Sequence, residues 1–447
     1  MGNIQNSIYN SSFNTGITQE LNPVSDIDVS DVIGISEDIG ISNATKSDFL
    51  NETSISNLQI DVVGYDAIVG IDYPTLGEAV LNGKVKILIK KNTTETGNIA
   101  VPSGGLYFEI DKGITLNMGA YQFTYAQAAD VVIRGSGTLQ YAYSSANNLF
   151  NIGLYTTSVL DAQNIIIDNN STIDGCYINN SDAIMKFKNV RIELPNKETP
   201  SFNGGNERNV WDTCEFVGGG SLCSQAFLAT KGIINNLFIS GTYKTSLGAF
   251  TINLNIIATN VYVNTVDSLD FQAGSLCNLF AIGSTNVNLD ASDSKSMLMN
   301  CYLKGGTLKA GTGQSNCQFT NIRTTGLCST TSTSNKNTFL NCEMAGISDA
   351  GNDNSFCNIV TVTAATSNPF TGNRTKVCNS DFINNSVTIA GNDNTFSGCK
   401  VGADAGGGTN TITINAGANR TIIGDTRTDA AIVDNGTASS FNNNVVY

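Results

Sequence analysis

Ala350-Gly351-Asn352-Asp353-Asn354-Ser355-Phe356 returns almost unchanged as Ala390-Gly391-Asn392-Asp393-Asn394-Thr395-Phe396, forty positions later. Asn373-Arg374-Thr375 stands near the midpoint, so the underlying period is about 20 residues. A related unit places Asn two before an aromatic residue and Cys three after it. It occurs as Asn209, Trp211 and Cys214, as Asn337, Phe339 and Cys342, and as Asn394, Phe396 and Cys399. Looser copies are Met299-Asn300-Cys301-Tyr302-Leu303 and Ser315-Asn316-Cys317-Gln318-Phe319. A period of this length, built from short apolar runs and turn residues, predicts a solenoid. Equivalent residues then stack one above another: apolar side chains and Cys line a continuous core, and Asn bonds to its neighbour in the next coil. Leucine-rich repeats share the period, but their regular Leu spacing is missing, so a parallel β-helix fits better.

Composition agrees. The chain has 447 residues with 57 Asn, 44 Gly and 6 Pro. Charged residues are 14% and apolar residues 40%, enough to bury a core. Asn, Ser, Thr and Gly disfavour helix and suit short strands with tight turns, and scarce Pro leaves inter-coil ladders intact. Short runs such as Val85–Ile89, Leu106–Ile110, Ile114–Met118, Val131–Ile133 and Ile165–Ile167 recur between Gly and Asn. Ahead of them, Thr75 and Glu78 have capping-box spacing and predict a short helix start at Tyr73–Val80.

The charge balance excludes several functions. The formal charge is −14, so a basic groove for nucleic acid is not expected. There is no His, which removes Ser-His-Asp chemistry, His-ligated zinc and imidazole acid–base catalysis. No run reaches the ~18 apolar residues of a membrane span, and Met1 to Asn22 lacks the features of a Sec signal. The 11 Cys, from Cys176 to Cys399, follow no zinc-like spacing and are expected as reduced, buried thiols. Neither metal nor cofactor is expected. Residues 1 to about 60 carry Asp26, Asp28, Asp31, Glu37, Asp38, Asp48 and Glu52 with no basic residue before Lys46, which predicts an irregular, acidic attachment arm.

The Tyr73–Val80 segment, the strand after it and the Gly/Asn coils over residues 65 to 447 resemble the pectate-lyase-like right-handed parallel β-helix superfamily. Within it they are most similar to members found in phage and viral tailspikes, fibres and capsid appendages. The ending Ala431-Ile432-Val433-Asp434-Asn435-Gly436-Thr437, followed by Asn442-Asn443-Asn444, is similar to the last coils of such proteins. The expected division is an arm over 1–60 and a β-helix over 61–447. The resemblance implies a virion-associated structural or adhesive protein, assembled in the host cytoplasm. Residues 1–60 would contact other virion proteins, the solenoid would meet a host glycan or receptor, and its flanks would be buried in a homotrimer. The alternative is a polysaccharide hydrolase or lyase.

Hydrolysis needs two carboxylates about 5 to 10 Å apart. The acidic clusters are Asp212 with Glu215, Asp267 with Asp270, and Asp290 with Asp293. A spacing of three puts each pair on opposite faces of a straight strand unless a turn intervenes. A lyase would need a basic proton acceptor, for which Arg191, Arg208 and Lys231 are candidates. Asp353 and Asp393 sit in the repeated motif but lack the calcium-binding β-roll pattern. Aromatic platforms for a glycan would come from Trp211, Tyr141, Tyr143 and Tyr155. Trp211 shares its repeat position with Phe339 and Phe396, which favours the core.

Overall fold

The computed structural model describes residues 64–446, apart from residue 154 and short segments within 198–207, 224–230, 243–254, 265–268, 274, 282–286, 292–294, 304–306, 363–367 and 403–408. The expected arm, residues 1–60, lies outside the described residues. What is described is an all-β parallel β-helix with about 23 residues per turn. The period is longer than the 20 read from the repeats because coils are unequal. Asn337 bonds to Asn354 one coil and 17 residues later, whereas Asp130 bonds to Val159 one coil and 29 residues later.

Two strand ladders meet at a sharp bend and a third closes the coil. The first ladder begins at Ala67–Val69, pairs in parallel with Lys86–Ile89, and continues through Leu106–Ile110 and Val131–Gly135. The second runs through Thr138–Tyr141, Ile166–Asn169 and Arg191–Glu193. From Val210–Gly219 to Gln318–Thr324 single long strands serve both ladders.

The bend explains the Asn–aromatic–Cys unit. Inward side chains on a straight strand alternate, so residues three apart should face opposite ways. Trp211 and Cys214, Phe339 and Cys342, and Phe396 and Cys399 are nevertheless all buried. Between them stand Thr213 (φ 56°), Asn341 (φ 54°) and Gly398 (φ 65°), whose left-handed backbone resets the alternation. Asn tolerates this conformation better than other residues with a Cβ, and its amide gains from the stacking. Asn189 Nδ2 donates to Asn164 Oδ1 at 3.0 Å, and the column resumes through Asn260 to Asn236, Asn278 to Asn260, Asn300 to Asn278, Asn321 to Asn300, Asn341 to Asn321 and Asn358 to Asn341, at 2.9–3.2 Å. Every amide donates to the coil before it.

The Asn that opens each unit is buried and accepts from a backbone N–H of the preceding coil. Asn209 takes Met185 N at 2.8 Å, Asn337 takes Cys317 N at 2.9 Å, and Asn394 takes Thr375 N at 2.8 Å. Without these oxygens the buried N–H groups at the corners would be orphaned. Inside, Phe319, Phe339 and Phe356 stack at centroid distances of 4.4 and 4.6 Å, almost coplanar in orientation.

The expected helix forms at Leu76–Leu81, with Thr75 as N-cap accepting from Glu78 N at 3.1 Å. Its first turn also receives the buried carboxylate of Glu95, which accepts from Leu76 N and Gly77 N at 2.9 Å each. Burial raises the Glu95 pKa despite those two bonds. No helix among the described residues is long and apolar enough to cross a membrane.

The cysteine reading needs one correction. Eight free cysteines are buried and Cys277 is half-buried, but Cys357 and Cys378 form a disulfide. Each follows an inward residue, Phe356 or Val377, by one position and therefore faces outward at the same place on neighbouring coils. Their Cα atoms are 4.7 Å apart, the ladder's own spacing, which lies within bridging range. Burial pushes the Cys214, Cys223 and Cys301 thiols up to about 12, where they are unreactive.

Candidate functional site

Asp212 and Glu215 flank the Thr213 bend, and the straight-strand expectation of opposite faces fails there. Trp211 and Cys214 take the interior, which leaves both carboxylates half-exposed on the outside. They stand on different ladders and have different partners. Asp212 Oδ1 accepts from Thr213 Oγ1 at 3.2 Å. Glu215 is held by Arg191 Nη1 at 2.8 Å and Ser240 Oγ at 3.1 Å.

Asp267 and Asp293 lie outside the described residues. Asp270 and Asp290 occupy neighbouring strands but different register positions, opposite Asn288 and Gln272 respectively. Lys231 begins the strand Lys231–Thr242, and Arg208 is exposed in a turn. Asp353 and Asp393 are not arranged for calcium. Each is gripped by an arginine from the following coil, Arg374 at 2.6 Å and Arg420 at 2.5 Å, which lowers both carboxyl pKa values. No cluster of three or more His, Cys, Asp or Glu suited to a metal occurs among the described residues.

Three of the four candidate aromatic platforms, Trp211, Tyr141 and Tyr143, turn into the core. Tyr141 and Tyr143 follow Leu139 by two and four positions, so the alternation turns all three inward. Their rings lie 5.2 Å apart inside the coil, and Tyr143 donates to Tyr121 O at 2.8 Å. Trp211 is fully buried, as its repeat position implied. Tyr155 packs partly against the core and donates to Ala126 O at 2.6 Å.

A polar cleft of about 380 Å3 instead opens on the second ladder. Asp168 and Glu193 are consecutive in one outward column, followed by Val217. Neighbouring coils are ~4.8 Å apart, so the two residues stand side by side on the outer face. Asp168 Oδ2 accepts from Gln140 Nε2 at 2.8 Å and Asn170 Nδ2 at 2.9 Å. Glu193 Oε1 accepts from Arg191 Nε at 2.9 Å, so Arg191 bridges Glu193 and Glu215. Asn170, Ser171 and Asn196 add amide and hydroxyl groups to the wall. The hollow exists because the next coil brings Gly218 and Gly219. A Cβ on Gly219 would stand 2.0 Å from Leu194 O, so no side chain fits there. Of this site, sequence reasoning found only Arg191. The run Gly218-Gly219-Gly220 was the available signal.

The chain matches no protein-family model and no curated protein sequence. One solved structure, endopolygalacturonase I from Stereum purpureum complexed with two galacturonate, is similar at 12% identity over 80% of this chain and 95% of that one. The TM-score is 0.18, too low to carry an argument about function.

Proposed function

We propose that this parallel β-helix is a structural, adhesive component of a virion that meets a hydroxyl-rich surface glycan of the host along the side of its solenoid. The observation that carries the adhesive reading is the cleft beside Arg191. Amides, a hydroxyl, two carboxylates and the Arg191 guanidinium line it, which suits a sugar's many hydroxyls. The virion assignment rests on the resemblance of the Gly/Asn coils to tailspikes and fibres, with residues 1–60 as the attachment arm.

Hydrolysis is the second reading, favoured by the adjacent Asp168 and Glu193. Against it, two amide donors hold Asp168 Oδ2 and Arg191 holds Glu193 Oε1, so neither carboxylate is free to swing toward a scissile bond. A glycan array read with the full chain and with Asp168→Asn and Asn196→Ala tests the adhesive reading. Binding that weakens in both variants supports it, and indifference to both substitutions rules the cleft out as the binding site.

A further inference from the structure

On the outer side of the second ladder, next to the cleft column, one register position carries an unusual sequence of residues. Successive coils place Arg191, Glu215, Phe238 and Tyr262 there. The register continues with Phe280, Tyr302, Arg323 and Glu343. Phe238, Tyr262 and Tyr302 are large apolar side chains left 42%, 38% and 38% exposed, far from the usual fate of stacked aromatics. Phe238 and Tyr262 lie face to face at 5.1 Å and 11°, so they turn ring edges outward. A sugar would need ring faces; a packed protein surface does not. The Arg323 guanidinium sits 5.9 Å from the Tyr302 ring and pairs with Glu343 at 3.0 Å.

The order Arg–Glu–aromatic–aromatic–aromatic–aromatic–Arg–Glu is complementary to itself when reversed. A two-fold axis between the Tyr262 and Phe280 coils would set Glu215 against the partner's Arg323 and Arg191 against the partner's Glu343. Phe238 would meet the partner's Tyr302, and the Tyr262 position would fall opposite that of the partner's Phe280. We infer that this column is the interface of an antiparallel homodimer, two copies of the chain packing side by side with opposite polarity. A parallel trimer, the arrangement expected from tailspikes, would instead join coils of equal level, so Glu215 could not meet the partner's Arg323 and nothing would be gained from the charge order.

The size suits a weak, reversible dimer. Eight coils at ~4.8 Å span about 34 Å, and the three or four strand residues beyond the bend are roughly 12 Å wide, which gives on the order of 400 Å2 per copy, at the low end for protein interfaces. The charged ends keep solvent contact, Arg323 at 63% and Glu215 at 34% side-chain exposure, so they can reach across.

Sedimentation velocity on the full chain tests this directly. The expected species has twice 47.2 kDa. Tyr262→Asp is expected to raise the dimer dissociation constant at least about tenfold. Glu215→Arg and Arg323→Glu should each do the same, while the double variant should return to within about threefold of the parent. The double variant disturbs the Arg191 and Glu343 pairs inside one chain as much as the singles do, so rescue can arise only between copies. A monomer at 100 micromolar, a trimer, or singles and double equally weakened would each overturn the proposal.

Discussion

Replacing Thr213 by Asn should close the gap between Asn189 and Asn236 in the column of stacked amides. Thr213 holds φ 56°, a conformation that costs an ordinary L-residue about 1–2 kcal/mol and suits a β-branched side chain worst. Its neighbours in the column are Asn189 below and Asn236 above, as the pairings of Lys188 with Asp212 and of Asp212 with Asn235 require. Asn189 spends its amide N–H on Asn164, leaving its oxygen to accept, and Asn236 spends its oxygen on Asn260, leaving its N–H to donate. An Asn at 213 would donate downward and accept from above, with the polarity of every other member. Relief of strain contributes about 1 kcal/mol and two partly exposed hydrogen bonds roughly 0.5 kcal/mol each, about 2 kcal/mol in all. The substitution removes the hydrogen bond from Thr213 Oγ1 to Asp212, which is exposed, so water takes its place. Because coils open locally in a solenoid, amide hydrogen exchange at Asn189, Asp212 and Asn236 is the assay. Thr213→Asn should slow it roughly thirtyfold, since about 1.4 kcal/mol is tenfold. Thr213→Gly relieves strain but adds backbone entropy of about 0.5–1 kcal/mol to the unfolded chain, so exchange should change little. If the Asn variant is no slower than the Gly variant, the amide column contributes nothing and the reasoning fails.

Further predictions concern the core, the buried acid and the cross-link. Phe339→Ala empties the middle of the Phe319–Phe339–Phe356 stack and should cost about 3–5 kcal/mol, read as loss of exchange protection in the coils on both sides. Asp349 is buried and accepts from the Thr330 and Thr375 hydroxyls and from Asn354, and burial raises its pKa above the unfolded value. Folding therefore favours its protonated form. Its contribution is fully present below about pH 4 and is lost as pH rises through the raised folded value. In denaturant titrations the advantage of the parent over Asp349→Asn should shrink as pH is raised from 4, and an advantage that grows would contradict the assignment. Reducing Cys357–Cys378, which closes a loop of 21 residues, should cost about 3 kcal/mol and show as a fall in the denaturation midpoint with reductant.

What the sequence revealed and what it hid follow from one geometric fact. Repeat units, inward aromatics and the Asn stacking were all readable, because stacking in register forces like residues onto like positions. The face of a residue beyond the bend was not, because a straight strand assigns Glu215 the wrong side. The signal was nonetheless present: Asn, Gly or Thr always fills the position two after the aromatic. The outward pair Cys357 and Cys378 was hidden for the same reason, since the repeated Cys stands three after its aromatic, whereas these stand directly after Phe356 and Val377. The aromatic register position was concealed by unequal coils, which separate Phe238, Tyr262, Phe280 and Tyr302 by irregular intervals. Tyr141 and Tyr143 were misleading in another way, because residue type alone marks a sugar platform and only their alternation with Leu139 turns them inward.

The most direct test of adhesion without cleavage incubates the full chain with the polysaccharides it retains and follows both bound ligand and new reducing ends. An adhesive cleft predicts saturable retention with no shortening of the glycan, weakened by Asp168→Asn. Release of reducing ends that disappears in Glu193→Gln would contradict it and make the Asp168–Glu193 pair a hydrolytic centre.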